Sequence, residues 1–299
     1  MTRVNSVQLP DGRVRDVFVG GAEDPGAPAI VFHHGTPSAA EHWPAWVTAA
    51  ADAGLRWVSA TRPGYGGSSR RAGRSVADDV DDVAALLDTL GIDRFVAMGW
   101  SGGGPHALAC GARLAGRCAG VVTLAGVAPS TEAQAAGLDW LDGMGPENHE
   151  EFGAAAAGEE PLRAFLDAQR EGMVDITGEQ VGEALGGLVD TADLAVLTGE
   201  FADAVAASFR EAVRPGVDGW CDDDLAFVRD WGFALADVAV PVSVWQGDQD
   251  RMVPQAHGPF LAERLPQVVP HFVPGEGHLS IPLARFDAVL ADVRTFLAG

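Results

Sequence analysis

The chain of 299 residues contains no lysine; its 20 basic side chains are all arginine, set against 42 acids for a formal net charge of −22. The absence excludes lysine Schiff-base chemistry and the usual pyridoxal-phosphate enzymes. It also excludes a Walker-type nucleotide hydrolase, whose P-loop needs a lysine on the phosphates. With so little positive charge a phosphate backbone would be repelled, so nucleic acid is not an expected partner. Cysteine is sparse too. Cys110, Cys118 and Cys221 form an odd set of three that points to a reducing compartment rather than a disulfide framework. Met1 to Pro10 lacks the apolar run of a secretory signal. One uncharged stretch, Phe95 to Ala112, is long enough to raise the question of a membrane span, but its Ser101-Gly102-Gly103-Gly104-Pro105-His106 centre breaks it into strand, turn and helix. These features together predict a cytoplasmic protein with no membrane association.

Apolar residues make up 47% of the chain, enough for a large core, and the length suits one big domain or a domain with an insertion. Short apolar runs alternate with helical patterns through the first 130 or so residues. Val14–Val19 reads as an edge strand, Ala29–Phe32 as a buried strand, Ala39–Ala53 as a helix and Leu55–Ser59 as a strand. Ser75–Leu90 has a helical apolar period with acids at its start, and Gly91 ends it. Phe95–Met98, Gly102–Leu114 and Val121–Leu124 continue as strand, helix and strand. Strands separated by helices of this length imply βαβ units and a mostly parallel sheet. From Ser130 to Asp237 the sequence is rich in Ala, Gly and Glu, with helical periods and no strand. Alternation resumes at Val240–Gln246 and Val268–Val273, and Pro282–Leu297 forms a last helix. The expected organisation is an α/β core from residues 1–129 and 238–299, interrupted by a helical lid at 130–237.

The densest chemical signal is Gly99-Trp100-Ser101-Gly102-Gly103, a G-x-S-x-G sequence placed after a strand and before a helix. A serine on so tight a turn is held in strained backbone and stands clear of the sheet, beside the free amides of a helix N-terminus. Its hydroxyl needs a base. His278, in the loop Gly275-Glu276-Gly277-His278-Leu279 past the last strand, opens on the same rim of the sheet as Ser101. The other histidines suit that role less. His106 follows Ser101 on the next helix and faces elsewhere, His257 sits early in the helix after Asp250, His271 lies within the final strand, and His42 and His149 read as surface or lid residues. The base in turn needs a carboxylate. Asp250 in Gly247-Asp248-Gln249-Asp250 is preferred to Asp248 because it lies two residues further from the strand and has the reach; Gly126 to Ser130, after the preceding strand, offers no acid. His33-His34-Gly35-Thr36-Pro37 follows the Ala29–Phe32 strand, where the Thr36 amide could pair with that of Gly102 around a developing oxyanion. A metal site on His33 and His34 is disfavoured, since adjacent side chains on extended backbone point oppositely.

These motifs, with Asp250 followed by Val253-Pro254, resemble the α/β-hydrolase fold superfamily over nearly the whole chain. Arg62-Pro63-Gly64-Tyr65-Gly66-Gly67-Ser68 is similar to that superfamily's D-x-R-G-x-G-x-S loop, departing at Thr61 and Pro63; its part there is mainly structural. The resemblance implies a triad of Ser101, Asp250 and His278, an oxyanion hole of Thr36 and Gly102, and no metal or organic cofactor. Relatives that open epoxides or displace halide carry aspartate at the Ser101 position, so a serine points to acyl transfer. The leading expectation is hydrolysis of a small or medium, largely apolar carboxylic ester, a small-molecule substrate; no oligomeric state is inferred. Proline iminopeptidases share a lid and similar loops but carry His-Gly-Gly-Pro-Gly where this chain has His34-Gly35-Thr36-Pro37-Ser38. Carbon–carbon bond hydrolases and cofactor-free perhydrolases use the same triad, and non-catalytic ligand receptors keep the fold. Trp100 is placed at the border of the substrate pocket. The aromatic residues of the helical segment, Phe152, Phe165 and Trp220 among them, are assigned mostly to packing. The run Asp222-Asp223-Asp224 is read as a solvated helix cap rather than a site for a cation or a substrate amine.

Overall fold

The computed structural model describes residues 4–40 and 43–299. Eight strands form one sheet: β1 (Val4–Gln8), β2 (Val14–Gly21), β3 (Ala29–His33), β4 (Arg56–Ala60), β5 (Phe95–Trp100), β6 (Cys118–Leu124), β7 (Val242–Gly247) and β8 (Val268–Val273). Their spatial order is β1-β2-β4-β3-β5-β6-β7-β8. The first two ladders, β1 with β2 and β2 with β4, are antiparallel and the rest are parallel. The central strands are apolar at nearly every position because both faces are covered. Ala29, Val31, Phe95, Ala97, Val121, Val242 and Val244 feed one core. Their neighbours Ile30, Phe32, Val96, Met98, Val122 and Trp245 feed the other.

Helices α1 (Pro44–Asp52), α2 (Asp79–Thr89) and α3 (Gly103–Arg113) connect the first strands. Between β6 and β7 the chain carries helices and no strand: α4 (Ser130–Ala135), α5 (Pro146–Ala157), α6 (Glu159–Glu171), α7 (Gly178–Leu185), α8 (Thr191–Val196), α9 (Gly199–Val213) and α10 (Asp218–Phe227). The chain closes with α11 (His257–Arg264), α12 (Ile281–Ala284) and α13 (Phe286–Ala298). Among the described residues no helix is long and apolar enough to cross a membrane.

Three local expectations are corrected. Val14–Val19 is not an edge, because β1 pairs outside it, and both Val17 and Phe18 are buried; the short, polar Val-Asn-Ser-Val-Gln strand carries no apolar alternation to announce itself. The helix expected from Ala39 begins at Pro44, whose fixed φ suits the first helical position. Ala39 and Ala40 are buried loop residues whose amides donate to Ser208 Oγ and Thr61 Oγ1, and Glu41 and His42 lie outside the described residues. The final helix is two, parted at Arg285, whose backbone leaves the helical region.

The strand order positions the site. After β3 the chain moves outward to β4, then crosses back to β5 on the other side of β3. Connections from β3 and β5 therefore diverge, which opens a crevice at the C-terminal ends of these strands.

Candidate active site

Ser101 follows β5 with φ of 57°, and among the described residues only Ala125 is another non-glycine with positive φ. Its amide donates to the Leu124 carbonyl at 2.8 Å and its carbonyl accepts from Gly104 at 2.9 Å, so the strained backbone is fixed from both sides. The flanking glycines are steric requirements. A Cβ on Gly99 would collide with the Gly103 backbone, and one on Gly103 with the carbonyl of His33.

Asp250 and His278 come together from the loops after β7 and β8. Nδ1 of His278 lies 2.9 and 3.1 Å from the two Asp250 oxygens. That carboxylate is itself fixed by the amides of Met252 and Val253 at 2.9 and 2.8 Å and by Gln246 Nε2 at 3.1 Å. With Nδ1 committed as a donor, Nε2 is left as the lone-pair nitrogen. Burial disfavours the imidazolium, but the Asp250 carboxylate outweighs it and holds the His278 pKa above its usual value, with Asp193 adding to the rise. Ser101 and His278 border the same cavity. Among the described residues the Ser101 hydroxyl makes no hydrogen bond. Asp248, the alternative acid, is exposed and accepts from the Gly275 amide.

Asp193 on α8 was not singled out by sequence, and nothing in Thr191-Ala-Asp-Leu-Ala-Val196 marks it. Its buried carboxylate accepts the amides of His278, Leu279 and Ser280 at 3.1, 2.8 and 3.0 Å. A Cβ on Gly277 would collide with it. Trp100 borders the cavity, and its Nε1 donates to the His278 carbonyl at 3.1 Å. The histidine loop is thus held by β5 on one side and by the helical segment on the other.

The loop after β3 is fixed by Arg62. Its guanidinium donates to the carbonyls of His34 and Gly35 and to Thr36 Oγ1, while its amide donates to His34 Nε2 at 3.0 Å. Every one of these contacts draws a carbonyl, hydroxyl or ring nitrogen toward Arg62. The amides of Thr36 and Gly102 have no hydrogen-bond partner among the described residues. The two residues adjoin, because a Cβ on Gly102 would strike the Thr36 side chain. Arg62 therefore does more than shape its own glycine-rich turn, in which Gly64 and Gly66 take positive φ.

His33 and His34 point oppositely. The His33 ring stacks beside His106 at 6.3 Å and has its pKa lowered to about 3 by burial. His106 is fully buried between Asp79 and Asp223, a structural position. His257 opens α11, with Nδ1 on the Ala128 amide and Nε2 on the Trp140 carbonyl. His271 stacks on Trp245 at 3.8 Å, and His149 is exposed on α5.

The acidic run is corrected: it is not a solvated cap. Asp222, Asp223 and Asp224 lie inside α10 and are 2%, 0% and 1% exposed. Successive helical residues project about 100° apart, so the three meet different surroundings. Asp222 pairs with Arg70 at 2.8 Å. Asp223 takes Arg62, Arg74, the Tyr65 hydroxyl and Thr36 Oγ1. Asp224 borders the cavity. The sequence does not reveal this because the neutralising arginines lie about 150 positions upstream.

The cavity has a volume of about 180 Å³, close to the size in which an apolar protein cavity of about 150 Å³ holds a benzene ring. Trp43, Trp46 and Phe32 line it from the sheet side, and Phe152, Phe165, Phe201, Phe209, Trp220 and Phe227 line it from the helical segment. Those helical aromatics thus contact the site, while Trp140 and Trp231 lie in the core away from it, Trp140 donating from Nε1 to the Ala128 carbonyl.

A family model described as alpha/beta hydrolase fold matches residues 28–284. The chain is 26% identical over 283 residues to a bifunctional esterase/perhydrolase of Acinetobacter calcoaceticus, covering 91% of this chain and 92% of that protein. It is 38% identical over 81 residues to epoxide hydrolase A of Mycobacterium tuberculosis, a stretch that spans only 25% of that relative's length and 26% of this chain. Among solved structures, the enol-lactonase of Burkholderia xenovorans superposes with a TM-score of 0.71 at 20% identity, covering 99% of this chain and all of that one.

Proposed function

The chain belongs to the alpha/beta hydrolase fold family, and from that premise we propose a serine hydrolase that cleaves a small or medium, largely apolar carboxylic ester through an acyl-enzyme. One observation carries the reading. Ser101, in left-handed backbone at the end of β5, faces the same cavity as a buried His278 whose Nδ1 is held by Asp250.

The Ser101 oxygen attacks the ester carbonyl carbon and its proton passes to Nε2 of His278. Asp250 stabilises the imidazolium. The carbonyl oxygen becomes an oxyanion facing the amides of Thr36 and Gly102, two free donors beside a helix N-terminus; removing one such donor in a serine hydrolase costs roughly 3 to 4 kcal/mol. Collapse of the intermediate breaks the bond to the leaving alcohol, which takes the proton from Nε2. Water then gives a proton to His278 and attacks the acyl carbon, releasing the acid and restoring the Ser101 hydroxyl. No step calls for a metal or an organic cofactor. Residues 130–237 act as a lid over the core formed by 1–129 and 238–299, supplying the aromatic wall.

Ester chemistry is favoured over epoxide opening by the serine itself, since an alkyl-ester intermediate needs a carboxylate nucleophile. The nearly full-length likeness to an esterase/perhydrolase points the same way. The test is hydrolysis of p-nitrophenyl acetate through octanoate beside proline p-nitroanilide. The reading predicts turnover of the shorter esters, abolished in Ser101→Ala; turnover of the anilide alone would replace it with an aminopeptidase.

A further inference from the structure

The acyl-transfer chemistry proposed above explains the serine end of the cavity but not the carboxylates elsewhere in its wall. Glu147 and Glu151 on α5 and Asp224 on α10 all border it, and among the described residues no arginine does. The geometry points to a subsite here for a protonated amine: Glu151 and Asp224 receive the ammonium group of a substrate whose ester bond lies at Ser101.

The neighbouring acids show what is unusual. Asp222 and Asp223 are equally buried, and each has arginine against it. Asp224 is 1% exposed, yet among the described residues no arginine, amide or hydroxyl answers its Oδ2, and the group against it is a second acid, Glu151. Two buried acids side by side avoid facing charges by keeping a proton between them, and a cation placed against them is what lets both ionise. Glu151 accepts from Trp220 Nε1 at Oε1, 2.6 Å away, and its carboxyl also hydrogen-bonds that of Asp224, so the two acids lie against each other. Burial pushes the pKa of both carboxyls up, and for Asp224 the nearby Glu151 adds to the rise. A pair in this state gains by receiving a cation. The aromatic neighbours suit the same ligand. Trp220, Phe152, Phe165 and Phe227 line this cavity, and ring faces attract ammonium groups in desolvated sites. A carboxylate-bearing substrate would be repelled by the same wall. The chain's negative net charge adds long-range attraction for cations.

This inference rests on the esterase reading for its substrate but is tested separately from it. Two isosteric pairs place the amine on either side of the ester: 2-(dimethylamino)ethyl butanoate against 3-methylbutyl butanoate, and ethyl 5-aminopentanoate against ethyl hexanoate. At neutral pH the amine member of at least one pair is expected to show kcat/KM about tenfold to a hundredfold higher, the range of a charged hydrogen bond, with most of the difference in KM. In Glu151→Gln and in Asp224→Asn that ratio should fall toward one. Thermal melts identify any variant that fails to fold, and the other then carries the comparison. A ratio near or below one in both wild-type pairs, or a preference that survives both substitutions, overturns the subsite. If none of the four esters is turned over, the esterase reading fails; calorimetry of pentylammonium on Ser101→Ala then decides the subsite alone. Saturable binding that Glu151→Gln abolishes would sustain it, and no binding would end it.

Discussion

The loops at the ends of β3, β5, β7 and β8 and the helices between β6 and β7 meet around one cavity but treat charge differently. In the strand-end loops and the turn after β4 the buried ionised groups are answered at close range: Asp250 by His278 and two amides, and Arg62 by Asp223 and the His34 and Gly35 carbonyls. The helical segment is less uniform. Asp193 and Asp223 reach into the loops and hold them, whereas Glu151 and Asp224 border the cavity with Trp220 Nε1 and each other against them and, among the described residues, no arginine. Groups that must be neutralised locally set the reacting geometry; groups left under-compensated are available to a ligand. On this view the sheet-end loops fix the chemistry and the helices fix its orientation and selectivity.

Substitutions in the two regions should therefore fail in different ways. The largest effect is expected from Asp250→Asn, which keeps the shape but reverses the demand on Nδ1. Ester kcat should drop by about 10⁴-fold with the fold intact by circular dichroism; a loss below about tenfold would remove Asp250 from the relay. Next comes Asp223→Ala. It leaves Arg62 and Arg74 buried without their shared carboxylate, and the expected loss of unfolding free energy is about 3 to 5 kcal/mol. Chemical denaturation measures it, and a change within about 0.5 kcal/mol would mean that the Asp223 ion pairs add nothing to stability. Asp193→Asn withdraws the charged acceptor of three amides, with an expected effect of about 1 to 3 kcal/mol divided between stability and kcat. It also bears on pH. The His278 pKa is raised in the folded protein, and only the neutral ring can act as base, so the rate falls as pH drops through a value above about 6.5. Removing the Asp193 charge should move that acid limb to lower pH, and an unmoved limb would make Asp193 a packing residue only. Trp100→Phe keeps the ring and loses one hydrogen bond to the His278 carbonyl; an effect of about 1 kcal/mol is expected on kcat/KM for a neutral ester.

The same division decides what could be read from the sequence. The parallel sheet is legible because its strands are doubly buried and therefore continuously apolar. Ser101, Asp250, His278, Thr36 and Gly102 stand at strand ends, where a few adjacent residue types mark their position in the fold. The polar β1 has no such pattern, and Arg285 gives no local sign that it interrupts the last helix. Asp193, Glu151 and Asp224 are hidden for another reason. In a segment rich in alanine and acid each looks like a solvated carboxylate, and what distinguishes them is burial against residues far away in the chain, 85 to 87 positions for the amides on Asp193. The run at 222–224 misleads in the same way: its burial is decided by Arg62, Arg70 and Arg74, and by a helical turn that sends neighbours in different directions.

Covalent labelling reaches the account most directly. Incubation of the folded protein with a fluorophosphonate, followed by intact mass and peptide mapping, should give a single adduct on Ser101 in the wild type. The adduct should be absent from Ser101→Ala and should form far more slowly in a His278→Ala variant of unchanged melting temperature. A folded wild-type protein that takes up no label, or takes it up equally at another serine, would contradict the account.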